Sequence, residues 1–139
     1  MRVEPPDLEL WLTEYVRTAA LAAGHDVDVD RVEPAELEIP LERPLIIIRD
    51  DSGSRLDHTI FGRSVGATVL AGSKRNAQPA ADLARWLAGL LLDDALPLVD
   101  GSPIVSVEWG GSNGPYAVQE TLDVARRYLT AQYVVAGSW

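Results

Sequence analysis

Hydrophobic and polar positions along the chain fall into a few clear periods. Leu8, Trp11, Leu12, Tyr15, Ala19 and Ala22 recur at helical spacing. Pro5-Pro6-Asp7 ahead of them is a helix start, with Asp7 placed to cap first-turn N–H groups, and Gly24 is a natural stop. The spacing predicts a helix over 7–23. His25 to Pro44 is acidic and irregular, interrupted by Pro34, Pro40 and Pro44, with room for one short strand at Val27–Val32. The β-branched run Leu45-Ile46-Ile47-Ile48-Arg49 reads as a strand buried on both faces. Asp50-Asp51-Ser52-Gly53-Ser54 reads as a turn or flexible loop tip. From His58 to Ala71 the pattern alternates, with Phe61, Val65, Ala67, Val69 and Ala71 on one face and Gly62, Ser64, Gly66 and Thr68 on the other. These two strands predict an antiparallel hairpin. Its 50–58 loop is longer than the usual few residues and is expected to project from the body.

Asn76 and Pro79 open a second predicted helix over 77–93, with Leu83, Ala84, Leu87 and Leu91 as its core stripe and Asp82, Arg85 and Asp93 facing outward. Pro97, Gly101 and Pro103 mark a loop. Ile104 to Trp109 reads as a strand, Gly110 to Pro115 as a turn using Asn-Gly chemistry, and Tyr116 to Gln119 as the return. Val124 to Ala136 fits two periods: Leu122, Ala125 and Leu129 suit a helix, whereas Arg127, Leu129, Ala131, Tyr133 and Val135 suit a strand. Tyr133-Val134-Val135 favours the strand. The expectation is one α+β domain over 1–139, a mostly antiparallel sheet with two helices packed on one face.

Length supports a single core, since 139 residues bury about 70% of the unfolded surface without staples. Cysteine is absent, which removes disulfides, thiolate zinc sites and a cysteine nucleophile and fits a reducing compartment. The opening residues Met1 to Asp7 lack the apolar stretch of a signal peptide, and no stretch approaches the ~20 apolar residues of a membrane span, so a soluble protein is expected. Net charge is −9 and spread along the chain, which disfavours wrapping nucleic acid or docking on anionic lipid. Lys74 is the single lysine against eleven arginines, a bias that suits a GC-rich coding sequence.

Apparent chemical motifs weaken on inspection. Gly62-Arg63-Ser64-Val65-Gly66 matches G-x-S-x-G, but a nucleophile elbow needs a helix after the serine and a later histidine. Here strand alternation continues through Ser64, and His25 and His58 both precede it. Asp26, Asp28 and Asp30 imitate the start of an EF-hand loop, yet the required glycine and glutamate positions hold Arg31 and Leu37. An acidic edge strand protected against mispairing is the better account. Asp50-Asp51 and Asp93-Asp94 sit where elements end and suit turns better than a paired-carboxylate site. The glycine run 110–114 lacks the Gly-Lys-Ser/Thr of a P-loop and the following helix of a dinucleotide site. Trp109, beside that run, and Trp139, the last residue, stand where aromatics are often exposed to partners. No catalytic, cofactor-binding or metal-ligating residues are expected, and the chain reads as a structural or assembly protein.

The order of blocks along the chain resembles a known family. Pro-Pro-Asp-Leu-Glu-Leu-Trp-Leu opens the series, followed by Arg43 to Asp51, then Phe61 to Gly72 and the Ala-Leu-rich helix. Gly101-Ser102-Pro103-Ile104, Asn113-Gly114-Pro115-Tyr116 and Ala125-Arg126-Arg127-Tyr128 complete it. The series is similar to the tail terminator proteins of long-tailed, siphovirus-type phages of actinobacteria, a fold shared with head–tail joining ring proteins and tube subunits. The resemblance implies no enzymatic activity. It implies a homohexameric ring that caps the tail tube, stops tube polymerisation and offers a surface for head attachment. The implied partners are further copies of the chain, the tail tube protein and head–tail connector proteins, with DNA only as cargo in the channel and no membrane. The implied location is the virion tail or neck, and the host cytoplasm during assembly. A ring needs two unlike, complementary patches per subunit. The candidate interface residues are Asp50, Asp51, Arg55 and Arg63 around the hairpin, Trp109, Asn113 and Tyr116 around the glycine turn, and Trp139.

Overall fold

The computed structural model describes all residues, Met1 to Trp139. In chain order it contains α1 (Leu8–Ala22), β1 (Asp28–Asp30), β2 (Leu45–Asp50), β3 (Ile60–Ala71), α2 (Gln78–Leu91), a 3₁₀ turn at Leu96–Leu98, β4 (Ile104–Val118) and β5 (Ala125–Ala136). The strands form one sheet in the order β1-β2-β3-β5-β4. β1 runs parallel to β2, and the other neighbours are antiparallel. The fold is α+β, with both helices on one face of the sheet.

That face holds the main core. Leu8, Leu12 and Val16 of α1 and Leu83, Ala84, Leu87 and Leu91 of α2 meet Ile46 and Ile48, Val65, Ala67 and Val69, and Leu129, Ala131, Tyr133 and Val135. Each fully buried leucine contributes about 1.5–3 kcal/mol, so these two helical stripes fix how the helices lie. Asp7 caps α1 by accepting from the Leu10 N–H at 3.2 Å. No side chain caps α2. Its N-cap is Ala77, with Pro79 in the first turn, and the backbone N–H of Asn76 binds Ser73 Oγ instead. The buried Tyr133 hydroxyl donates to the Leu91 carbonyl and ties the end of α2 to β5. Burial holds that phenol above the ordinary tyrosine range.

On the opposite face Leu37, Ile39 and Leu41 cover Leu45, Ile47, Leu70 and Val124. The irregular 31–44 segment is thus a strap, with alternate residues turned onto the sheet and Glu36, Glu38 and Glu42 exposed. The strap covers the end of the sheet near the start of β2, which is why that strand is buried on both sides.

Two local expectations are corrected. The 50–58 segment does not project as a loop. Asp51 N–H donates to the Ser64 carbonyl at 2.8 Å, Ser64 N–H to Ser52 at 2.9 Å and Gly62 N–H to Ser54 at 2.8 Å, so the chain stays zipped to β3 beyond Asp50. The Asp50 carboxylate accepts from Ser52 N–H at 2.7 Å and holds Ser52 at φ 77°. A Cβ on Gly53 would overlap the Gly62 carbonyl, so close approach requires glycine there. The reversal itself is tight, closed by Leu56 N–H to the Ile60 carbonyl at 2.9 Å.

The second correction concerns 110–115, which is no hairpin turn. β4 passes through it as a single strand bulged against β5, where Glu108 pairs with Gln132 and Asn113 with Thr130, so five steps on β4 match two on β5. Ser112 Oγ donates to the Glu108 carbonyl at 3.0 Å and accepts from Gln132 N–H at 3.1 Å, which stitches the bulge down. Gly114 at φ +91° supplies the left-handed residue where the strand rejoins. The last segment is a strand, with its odd-numbered side chains from Leu129 to Val135 buried.

Candidate functional site

Beyond the strap, the helix-free face of the sheet is open, and a polar cluster is built there. The Arg49 Nε donates to Asp51 Oδ1 at 2.7 Å, and its Nη2 donates to the Tyr128 hydroxyl at 3.1 Å. That hydroxyl donates to Asp51 Oδ2 at 3.1 Å and closes the triangle. Tyr128 is brought over the sheet by the β3–β5 register, lying above Gly66, where any Cβ would overlap its hydroxyl end. Desolvation, and then the hydrogen bond to Asp51, raise the Tyr128 phenol above its ordinary value. Tyr116 on β4 packs edge-on against Tyr128, with ring centroids 6.0 Å apart. Asn113 lies further along the same face, opposite Thr130.

The candidate residues therefore divide into three groups. Asp51, Tyr116 and Asn113 share the open face. Asp50, Arg55 and Arg63 are spent inside the chain. Arg63 donates to the Gly62 carbonyl at 2.8 Å and to Gly53 at 3.3 Å, and its Nε stands 3.7 Å from Asp50 Oδ2. Arg55 donates to the His58 carbonyl at 3.0 Å. The guanidinium carbons of Arg55 and Arg63 lie 4.5 and 5.3 Å from the Phe61 ring centroid, so the two arginines hold the tip of the β2–β3 hairpin. Trp109 and Trp139 occupy two further places. Trp109 is 61% exposed, and its indole N–H donates to the Leu92 carbonyl at 2.9 Å beyond the end of α2. Trp139 is 75% exposed beside Arg2 and Glu4, next to the bridge between Glu4 and Ser138.

Sequence reading passed over Arg49, Tyr128 and Gly66 as members of a site. The one available signal was the row of small residues Gly62, Ser64, Gly66 and Thr68, which leaves room above β3 for a large neighbour. It also passed over Arg126, which binds Glu33 of the strap at 2.7 Å and Glu120 of the β4–β5 loop at 2.7 Å. Glu120 accepts from Leu122 N–H as well, and the backbone donor together with Arg126 lowers its carboxyl from the ordinary 4.5 to about 2.

Ser64 lies in the middle of unbroken β3, paired with Gln132. Asp28 faces Arg43 at 3.3 Å, and Asp93 accepts from Ala95 N–H at 2.9 Å as a turn cap. No helix is long and apolar enough to cross a membrane. The arrangement is one of surfaces: an ordered aromatic and polar face on one side of the sheet, and a long outer edge on β4. No protein-family model matches this chain, and no curated protein matches it.

Proposed function

We propose that this chain is a phage assembly protein that closes into a homohexameric ring on the last ring of the tail tube. There it stops tube growth and offers a surface for head attachment. The likeness of its ordered blocks to tail terminator proteins is the starting point. The observation that carries the reading further is the open sheet face, where Arg49, Asp51 and Tyr128 lock one another and Tyr116 stands 42% exposed beside them. Side chains already ordered by internal bonds lose little entropy on docking, which suits a surface made to meet a partner. The opposite side of the molecule presents the outer faces of α1 and α2, charged at Glu14, Arg17, Asp82 and Arg85 with Leu10 and Leu21 exposed among them. Each subunit thus has two unlike surfaces, as heterologous ring contacts require. A net charge of −9 keeps a central channel from holding DNA that passes through it.

The test uses purified full-length chain mixed with isolated tail tubes and viewed by electron microscopy. Rings seated on tube ends, and over-long tails in a phage lacking the gene, are the expected results. Bare tube ends together with tails of normal length would sink the terminator role. Rings bound to head connectors and never to tubes would move the protein to the neck.

A further inference from the structure

β4 is the outermost strand on its side of the sheet. Charge along that edge is uneven, with the cations gathered near its finish among fewer carboxylates and only carboxylates near its start. Near its finish, Arg85 and Arg127 flank a shallow pocket with Ala81, Ala84 and Pro115 between α2 and β4. Lys74 lines the adjoining pocket with Arg127 and with the Arg126–Glu120 pair, which neutralise each other. Asp123 accepts from the Lys74 backbone N–H at 3.0 Å, and exposed Arg75 follows in the chain, which leaves a surplus of cations at this end. Arg127 forms no ion pair within the chain. Arg85 meets only Asp82 one turn away, an exposed pair that constrains it little. The other end, where α2 stops and β4 begins, carries exposed Asp93, Asp94, Asp100 and Glu108. No lysine or arginine occurs between Arg85 and Arg126 to offset them. Exposed Val105 and Trp109 lie on β4 at this acidic end.

Gly110, near the middle of β4, adds an independent observation. A Cβ there would meet nothing within 4 Å, and its φ is not in the left-handed region, so neither packing nor backbone geometry within the chain calls for glycine. Gly111 differs, because its Cβ would press on Gln132.

We infer that two copies of this chain pair across their β4 edges about a two-fold axis near Gly110, the basic end of each edge meeting the acidic end of the other. A two-fold contact uses the same surface twice, so it must be self-complementary, and an edge with opposite charges at its two ends meets that condition. A paired strand of twelve residues at about 3.3 Å each gives a strip about 40 Å long. With about 20 Å of depth from sheet and helix, that is on the order of the 800 Å² per partner of a stable interface. The contact is made by side chains, because the bulge and Pro115, which lacks an N–H, prevent a long ladder between the two β4 strands. The pairing does not rest on the ring reading. It is a closed state of the free protein that covers a long strand edge.

Sedimentation velocity on the full chain tests it, with substitutions confined to exposed residues. Wild type at about 0.1 mM is expected to sediment as a dimer, with its dissociation constant rising about tenfold or more from low to high salt. Arg75→Glu/Arg85→Glu and Asp94→Lys/Glu108→Lys should each be monomeric alone. Their equimolar mixture, and a chain carrying all four changes, should regain the dimer. Gly110→Leu, which alters no charge, should also give monomer. A monomeric wild type, reversed-charge variants that dimerise unchanged, or a mixture that stays monomeric would overturn the pairing. Species larger than a dimer would also overturn it while leaving the ring reading standing, and failure to cap tubes would leave the pairing standing.

Discussion

Gly66 shows how one missing side chain organises a surface. Its absent Cβ lets Tyr128 lie flat enough to reach both Asp51 and Arg49. Gly66→Ala should push the Tyr128 ring aside, break two of the triangle's bonds and destabilise the fold by about 1–3 kcal/mol. The same substitution in a Tyr128→Ala background should cost less, because the remaining obstacle is Asp51 Oδ2, 2.7 Å from the Cβ position, at the end of a side chain no longer held by the tyrosine. Denaturant midpoints of the four proteins measure this coupling. Equal costs in both backgrounds would show that Asp51 or the strand, and not the tyrosine, objects to alanine. Phe61 makes the related point that charge near a loop need not be offered outward: Arg55 and Arg63 were candidates for a partner, yet their donors are used on His58, Gly62 and Gly53.

Among the elements, α2 carries an unforced weakness. Gly89 stands exposed in the helix interior, and a Cβ there meets nothing. Gly89→Ala should stabilise the protein by about 0.5–1 kcal/mol by reducing the freedom of the unfolded chain, read as a higher denaturant midpoint with unchanged slope. No gain would show that the last turn of α2, where Gly89 lies, is not held rigidly enough for backbone freedom to matter. What could be read in advance follows the same local logic. α1 was legible because the apolar period, the Asp7 cap and the Gly24 stop all lie within one stretch of chain. β2 was legible from its unbroken β-branched run. β4 was not, because Gly110 to Pro115 has the composition of a turn, and what keeps it in the strand is Ser112 bonding to Gln132, twenty positions away. The open-face cluster was half legible for a like reason: Asp51 and Tyr116 lie at places where exposure is expected, but Tyr128 joins them only through the β3–β5 register, which no local pattern encodes.

At the scale of the whole molecule, Arg126 joins three distant pieces: β5, the strap through Glu33 and the β4–β5 loop through Glu120. The Glu120 carboxyl is depressed from 4.5 to about 2 in the folded protein. Its contribution to stability is therefore complete above the unfolded value, and it is lost as pH falls from about 4.5 through about 2. Glu120→Gln should be less stable than wild type at pH 7, and the gap should narrow steadily across that acid window. Urea titrations at several pH values measure it, and a gap that stays constant to pH 2 would refute the linkage.

The position of β3 at the centre of the sheet has a kinetic consequence. The β2–β3 and β4–β5 hairpins each join neighbours in the chain, but the β3–β5 seam pairs Ala71 with Ala125 and Ile60 with Ala136. Two locally closed halves must find each other across the whole intervening segment that carries α2, and this loop-closure entropy comes before the central core is rewarded. Docking of the two hairpins is thus expected to be the slow step of folding. Substitutions at seam residues such as Ala67 and Leu129 are expected to slow folding, while those at the reversal around Arg55 to His58, outside the seam, are expected mainly to speed unfolding.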